Sequence, residues 1–126
     1  MHVLFDTNSL LYPVQFNVDV FTEAERLVQA EKPFLVLAQS IAELKSLARR
    51  KGKDGVAARV GLELAEKNCK VLESVHSKAD DAILAIAKVN KTDLVVCTSD
   101  AGLKKRLKKA GVTVIGLMGK SHLGYC

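Results

Sequence analysis

The sequence is poor in the residues that build disulfide-bonded, zinc-binding or membrane-spanning proteins. It has no tryptophan and three cysteines, Cys69, Cys97 and Cys126, with no Cys-x-x-Cys pair among them. Neither a disulfide framework nor a zinc site is therefore expected, and Cys97, inside an apolar run, is predicted to be a buried small residue. A run of only three apolar residues precedes Asp6, too short for a signal peptide or a membrane span. We expect a cytoplasmic protein with no membrane partner.

Low-complexity segments and linkers are also missing. The 126 residues contain two prolines and eight glycines, and 48% of them are hydrophobic. This length and composition suit one globular domain, spanning residues 1–126, with a single substantial core. The formal charge of +5 favours an anionic partner, but many basic proteins bind no nucleic acid, so the charge alone decides little.

Short apolar runs alternate with segments of helical periodicity. Most of the runs are continuous rather than alternating, which is typical of a parallel sheet covered on both faces. The predicted fold class is therefore α/β, a three-layer α/β/α sandwich with a central parallel sheet. The runs predict strands at 3–5, 34–38, 70–72, 94–97 and 112–115, and the periodic segments predict helices that start near 19, 40, 54, 77 and 101.

Acidic residues follow three of the predicted strands. Asp6 comes directly after the first strand, Glu43 lies one turn into the helix after the second, and Asp100 stands three residues past the fourth. Because ligand sites in open parallel sheets form at the carboxyl ends of the strands, these carboxylates are expected to meet.

Two further acids open the helix before the fourth strand. Asp80 is in register with the apolar positions Ile83, Leu84 and Ala87, so its side chain is predicted to lie on the face packed against the sheet. The side chain of Asp81 lies about 100° around the helix axis from that of Asp80. Asp81 is therefore predicted to contact the metal-binding carboxylates without binding the metal itself, or to face solvent.

Carboxylates that converge at one sheet edge repel one another, and their pKa values rise. A divalent cation removes that conflict, and oxygen ligands without His or Cys suit Mg²⁺ or Mn²⁺. Such a centre activates water and stabilises the transition state of phosphodiester hydrolysis.

Each acid also has a purely structural interpretation. Ser40 and Glu43 match a capping box, Asp100 suits the N-cap of the last helix, and acids at 80 and 81 suit a helix dipole. Asp6 is harder to explain in this way, because Asn8 alone would supply the turn. The joint placement of the acids at successive strand ends favours the site.

The motifs resemble those of the PIN-domain nucleases over essentially the whole chain. They are Asp6-Thr7-Asn8 after the first strand, an acid in the second helix, Ala79-Asp80-Asp81-Ala82-Ile83, and Thr98-Ser99-Asp100. The resemblance implies an Mg²⁺- or Mn²⁺-dependent ribonuclease. It implies metal-binding and catalytic roles for Asp6, Glu43, Asp80 and Asp100, with Asp81 as an unresolved fifth ligand and Asn8 and Thr98 as residues that orient the carboxylates.

The second half of the chain is most similar to the branch of that family that processes small-subunit ribosomal RNA. The toxin ribonucleases of toxin–antitoxin pairs are the second branch. The resemblance implies RNA as the substrate, a ribosome-assembly factor or an antitoxin as the protein partner, and a homodimer as the assembly.

Two basic clusters are candidates for RNA binding. Lys104 and Lys105 lie in the helix that begins at Asp100, and the cluster Arg49, Arg50 and Lys51 ends the helix that carries Glu43. A solvated helix face is the competing explanation for the lysines.

Two other function classes compete with a nuclease. One is a PIN fold kept as a non-catalytic module that binds RNA or protein, although such a module has no need of mutually repelling carboxylates. The other is a response-regulator-like domain, which would place an acidic pair at the first strand, where this chain has Asp6 alone. Tyr12 and Phe16 are better explained by core or dimer packing than by base stacking, and His122 is expected at the surface.

Overall fold

The structure, a computed structural model, describes residues 1–29 and 31–126. Within those residues, the predicted strands and helices follow one another in the predicted order, and the short helix α1 and strand β6 are additional. The elements are β1 (His2–Phe5), a 3-10 turn (Asn8–Leu11), α1 (Tyr12–Gln15), α2 (Val20–Val28), β2 (Phe34–Leu37), α3 (Ala38–Ala48), α4 (Lys53–Asn68), β3 (Cys69–Leu72), α5 (Ala79–Val89), β4 (Leu94–Cys97), α6 (Ala101–Lys109), β5 (Thr113–Met118) and β6 (His122–Tyr125).

The strands of the described chain form one six-stranded sheet in the order β3-β2-β1-β4-β5-β6. The first five strands are parallel, and β1 lies at the centre, where Leu4 is paired with Leu35 of β2 and Val96 of β4. The sheet therefore sets the ends of β1, β2 and β4 side by side.

Side chains of the strands point alternately to the two faces of the sheet. Val3 and Phe5 pack with helices α1 to α4 on one face, and Leu4 packs with α5 and α6 on the other. The result is the predicted three-layer α/β/α sandwich.

The antiparallel strand β6 was not predicted. The last strand was predicted to end at Ile115, whereas β5 continues to Met118 and the chain then turns back into β6. Gly119 and Lys120 make this turn with positive φ angles of 57° and 61°, a conformation that glycine adopts without strain. His122 is exposed, as predicted, but it lies in this strand.

The capping box predicted for Ser40 and Glu43 is wrong. Because β2 runs directly into α3, the helix begins at Ala38 and its N-cap is Leu37, which offers no side-chain hydrogen bond. Ser40 is therefore inside the helix, fully buried, and its hydroxyl has no partner in the described structure. Glu43 is left without the capping role.

The aromatic residues near the N-terminus are structural. Phe5, Phe21 and Phe34 pack together with ring centroids 5.1–5.6 Å apart. Tyr12 is buried and contacts Phe16, with centroids 5.6 Å apart. The segment that follows Asp6 is a 3-10 turn continued by the short helix α1. Core packing is thus confirmed for Tyr12, and Cys97 is buried as predicted. Within residues 1–29 and 31–126, no helix is both long and apolar enough to cross a bilayer.

Helix α4 packs closely against the turn that follows Asp6. At Gly61, an added Cβ would lie 2.2 Å from the carbonyl oxygen of Leu10. We expect Gly61→Ala to lower the free energy of unfolding by about 1–3 kcal/mol, because backbone must move to relieve the overlap.

The matched control is Gly102→Ala in α6, where the new Cβ would meet only the Asp100 carboxylate at 3.4 Å. This change should leave stability unaltered or raise it by up to ~1 kcal/mol, as alanine does in helices. Urea unfolding measures both variants, and equal effects would contradict the close approach.

Candidate active site

A small polar cavity lies at the carboxyl ends of the central strands. Its volume is about 70 Å³, enough for a small ion with some of its water. The structure brings together here the four acids singled out from the sequence. The lining residues are Asp6, Thr7, Asn8, Glu43, Ala79, Asp80, Ile83 and Asp100.

Asp6 forms the floor of this cavity and is only 7% exposed. Its Oδ1 atom accepts hydrogen bonds from the backbone N–H of Ser9 at 2.8 Å and from the Ser9 hydroxyl at 2.5 Å. The Thr98 hydroxyl donates to Oδ2 at 2.5 Å. A carboxylate has about four acceptor positions, so the fourth, on Oδ2, is left for a group in the cavity.

Burial is the largest influence on Asp6 and raises the pKa of its carboxyl, because a charge is costly to remove from water. The hydrogen bonds from Ser9 and Thr98 oppose this shift, and the nearby charge of Asp80 adds to it. The site therefore keeps one carboxylate in an environment that disfavours its negative charge.

The other three acids stand at the rim and are exposed. Glu43 projects from α3 and Asp80 from the first turn of α5. Asp80 lines the cavity together with Ile83, in the predicted register, but its side chain is exposed at the rim. Partial desolvation and the charge of Asp100 raise the pKa of Asp80.

Asp100 caps a helix and also lines the cavity. Its Oδ1 atom accepts a hydrogen bond from the N–H of Leu103 at 2.7 Å, which caps α6. The same residue lines the cavity, and its own N–H donates to the Thr98 hydroxyl at 3.1 Å. Thr98 thus links the buried acid to an acid of the rim.

Asp81 faces away from this cavity. Its Oδ1 atom lies 2.9 Å from Nη2 of Arg106 in an ion pair that joins α5 to α6, and this hydrogen bond lowers the pKa of Asp81. The helical register thus separates the adjacent acids, with Asp80 toward the cavity and Asp81 toward Arg106.

The donor set fits a hard divalent cation. In the described part of the chain, no three His, Cys, Asp or Glu side chains already form a chelating cluster. Mg²⁺ needs no such cluster, since it commonly binds through one or two carboxylates and retains several waters. The repulsion of Asp80 with Asp6 and with Asp100 is a second indication of a cation site, because a bound cation relieves it.

Ser9 was not among the predicted site residues. Asn8 lines the cavity and is exposed, but the hydrogen bonds described for the Asp6 carboxylate come from Ser9 and Thr98. The signal was present in the Asp-x-x-Ser spacing, because a carboxylate at the start of a helical turn accepts from the backbone N–H three residues on.

The predicted RNA-binding residues lie outside the acidic cavity. Lys104 and Lys105 line an adjacent groove along α6. Arg49, Arg50 and Lys51 follow the far end of α3, about 10 Å along the helix axis from Glu43. The structure therefore brings only the first cluster next to the acids.

Replacement of Ser9 tests how Asp6 is held. We expect Ser9→Ala to raise the pKa of Asp6 further and to cost about 1–3 kcal/mol of stability at neutral pH, since a buried charge loses a donor. The cost should shrink as pH falls and Asp6 is protonated in the native state. NMR titration of the Asp6 carboxyl carbon in metal-free buffer, with unfolding at several pH values, measures both effects.

Ser40→Ala is the matched control, because this buried hydroxyl has no partner in the described structure. It should leave stability unchanged or higher at every pH. An unshifted Asp6 titration in Ser9→Ala would contradict the account of the site.

Comparison with known proteins identifies the family and the fold. The family model described as a PIN-like domain matches residues 3–120. Ribonuclease VapC4 of Methanocaldococcus jannaschii is 32% identical over 121 residues, covering 93% of this chain and 90% of that protein. The rRNA-processing protein FCF1 of Saccharomyces cerevisiae is 30% identical over 125 residues, covering 96% of this chain and 62% of that protein.

A solved structure of the PIN domain endonuclease Utp24 has the same fold. It superposes with a TM-score of 0.81 at 25% identity, over 98% of this chain and 90% of that one. The resemblance seen in the sequence motifs is thus confirmed at the level of family and fold. The chain belongs to the PIN-like domain family.

Proposed function

We propose that the protein is an endoribonuclease that hydrolyses RNA phosphodiester bonds with the help of Mg²⁺ or Mn²⁺. The observation that carries this proposal is the meeting of one buried acid, Asp6, with three exposed acids around a small polar cavity. Two relatives whose names describe ribonuclease or rRNA-processing activity support RNA as the substrate.

In this proposal Asp6, Glu43, Asp80 and Asp100 hold the cation. When bound, a divalent ion lowers the pKa of a water and neutralises charge on the phosphate. Ser9 and Thr98 keep the Asp6 carboxylate in one orientation, and the Asp100 cap fixes that side chain relative to α6.

A non-catalytic binding module explains these acids less well. Burial disfavours the charge on Asp6, and Asp80 and Asp100 repel each other, so the arrangement costs stability in the absence of a cation. A fold retained only for binding gains nothing from that cost.

Processing of ribosomal RNA is the first proposed role, with a ribosome-assembly factor as partner. A toxin ribonuclease controlled by an antitoxin is the second candidate. The similarity to the Saccharomyces processing protein supports the first candidate, and the similarity to the Methanocaldococcus ribonuclease supports the second. Mapping of the cleavage sites in total cellular RNA separates the two.

Replacement of Asp6 tests catalysis. We expect Asp6→Asn to abolish Mn²⁺-dependent cleavage of RNA while the protein remains folded, because the amide oxygen still accepts from Ser9 and the Thr98 hydroxyl can rotate to accept from the amide nitrogen. Cleavage of labelled RNA, circular dichroism and RNA binding are the measurements. If the purified wild-type protein cleaves no RNA with Mg²⁺ or Mn²⁺, the enzyme proposal fails.

The adjacent acids provide a test of cation binding that does not require activity. We expect Mn²⁺ at about 100 times its dissociation constant to raise the free energy of unfolding of the wild-type protein by ~2.7 kcal/mol. Asp80→Asn should lose most of this gain, and without metal it should be at least as stable as wild type, because repulsion with Asp100 is gone.

Asp81→Asn is the control for that measurement. It removes the same charge one residue away, but it breaks the ion pair with Arg106 and leaves the carboxylates of the cavity in place. It should therefore retain the Mn²⁺-induced rise in melting temperature. Equal loss in both variants would contradict the assignment of Asp80 as the ligand.

A further inference from the structure

The hydroxyl of Tyr12 is a buried polar group close to Asp6. Tyr12 directly follows the 3-10 turn that begins after Asp6 and Thr7, and it is only 5% exposed. Its ring packs against Phe16, which explains the aromatic part of the side chain but not the hydroxyl. Because a buried phenol usually forms a hydrogen bond, the neighbours of this hydroxyl indicate what it does.

The turn places Tyr12 next to Ser9. Side chains three residues apart in a 3-10 turn lie on the same side, and the N–H of Tyr12 donates to the carbonyl oxygen of Ser9. Both side chains are buried. The Ser9 hydroxyl is the group that donates to Oδ1 of Asp6 at 2.5 Å, so a single hydroxyl separates the phenol from the buried carboxylate.

The Ser9 hydroxyl has two acceptors for its single proton. Its oxygen lies 2.5 Å from Oδ1 of Asp6 and 2.9 Å from the carbonyl oxygen of Cys97, and a hydroxyl donates only one hydrogen bond. The charged carboxylate is the stronger acceptor. A further donor to the Ser9 oxygen strengthens this hydrogen bond, because the members of a hydrogen-bonded chain polarise one another. Tyr12 is in position to be that donor.

Ser99 lies on the other side of the phenol. Its hydroxyl accepts from the backbone N–H of Leu117 in β5 at 3.0 Å and still has its own proton to donate. Gly116 makes this approach possible, because a Cβ there would lie 2.6 Å from the carbonyl oxygen of Thr98 and 3.2 Å from the Ser99 hydroxyl. Strand β5 therefore contacts the segment that leads to Asp100 without an intervening side chain.

The electrostatic environment of Tyr12 agrees with these positions. Burial raises the pKa of the phenol, so the hydroxyl is protonated and able to donate at neutral pH. Hydrogen bonds with Ser99 and with Ser9 act in the opposite direction, and the negative charge of Asp6 raises the pKa further. The phenol is thus within hydrogen-bonding reach of both serines.

We propose that Tyr12 is a positioning residue of the cation site, which accepts a hydrogen bond from Ser99 and donates one to Ser9. The chain then runs in one direction, from the N–H of Leu117 through the hydroxyls to Oδ1 of Asp6. Each hydroxyl accepts once and donates once, and the carboxylate is tied to the backbone of β5. This inference rests on the proposed function, since the carboxylate that the chain orients is the proposed cation ligand.

The two tyrosines of the sequence, Tyr12 and Tyr125, provide a matched pair of variants. The hydroxyl of Tyr125 donates to the carbonyl oxygen of Leu27 at 2.9 Å in an exposed hydrogen bond. Replacement by phenylalanine removes one hydrogen-bonding hydroxyl and keeps the ring at either position. Only Tyr12→Phe interrupts the chain to Asp6.

Mn²⁺ binding is the first measurement. We expect Tyr12→Phe to raise the dissociation constant of Mn²⁺ by ~10-fold, the lower end of the range for groups that orient metal ligands. Tyr125→Phe should leave the dissociation constant unchanged. Electron paramagnetic resonance of unbound Mn²⁺ measures both without RNA, and thermal unfolding verifies that both variants are folded. No loss in Tyr12→Phe, or equal losses in the two variants, would overturn the inference.

NMR of tyrosine labelled with ¹³C at Cζ is the second measurement and needs no metal. The two phenylalanine variants assign the two signals. Ser9→Ala should move the signal of Tyr12, because the acceptor of its proton is lost, and should leave that of Tyr125 in place. Ser40→Ala is the control, since it also removes a buried hydroxyl, and it should move neither signal. An unmoved Tyr12 signal in Ser9→Ala would show that no such chain exists.

The outcomes separate this inference from the proposed function. A wild-type protein that binds no Mn²⁺ defeats the proposed function, and the role of Tyr12 at a cation site fails with it, whatever the tyrosine signals show. Mn²⁺ binding that is as tight in Tyr12→Phe as in the wild type overturns the positioning role alone, and the protein can still be a metal-dependent nuclease.

Discussion

The buried carboxylate of Asp6 is the feature on which the rest of the site depends. At 7% exposure its charge is disfavoured, and the three hydrogen bonds from Ser9 and Thr98 compensate only in part. The same hydrogen bonds leave one acceptor position toward the cavity. An arrangement that is costly for the protein alone becomes favourable once a cation is present, which links the stability of the fold to its proposed chemistry.

The strand order explains why the acids meet. Because β1 lies between β2 and β4, residues that follow these strands are brought together although they are far apart in the chain. Asp6 follows β1, Glu43 lies in the helix that continues β2, and Thr98 and Asp100 follow β4. Helix α5 adds Asp80 from the opposite layer. The topology thus places the four acids around one cavity.

Much of the fold and of the candidate site was predictable from the sequence, since continuous apolar strands, acids at strand ends and the helical register of Asp80 and Asp81 are local patterns. The failures have equally local causes. The capping box at Ser40 was wrong because β2 enters α3 without a loop, so the helix starts two residues earlier. Strand β6 was missed because its pairing depends on the turn at Gly119 and Lys120. Ser9 was missed although the Asp-x-x-Ser spacing signals it, because no helical turn was predicted directly after Asp6. Whether the four acids bind metal is a question that no sequence pattern decides.

The central claim is that the acids surround a cation site. Anomalous diffraction from crystals grown with Mn²⁺ tests it most directly, because the signal locates the ion without reference to activity. We predict an anomalous peak in the cavity, in contact with Asp6 and with at least one of Glu43, Asp80 and Asp100, directly or through water. A cavity without a peak at saturating Mn²⁺, or an ion bound only elsewhere, would contradict it.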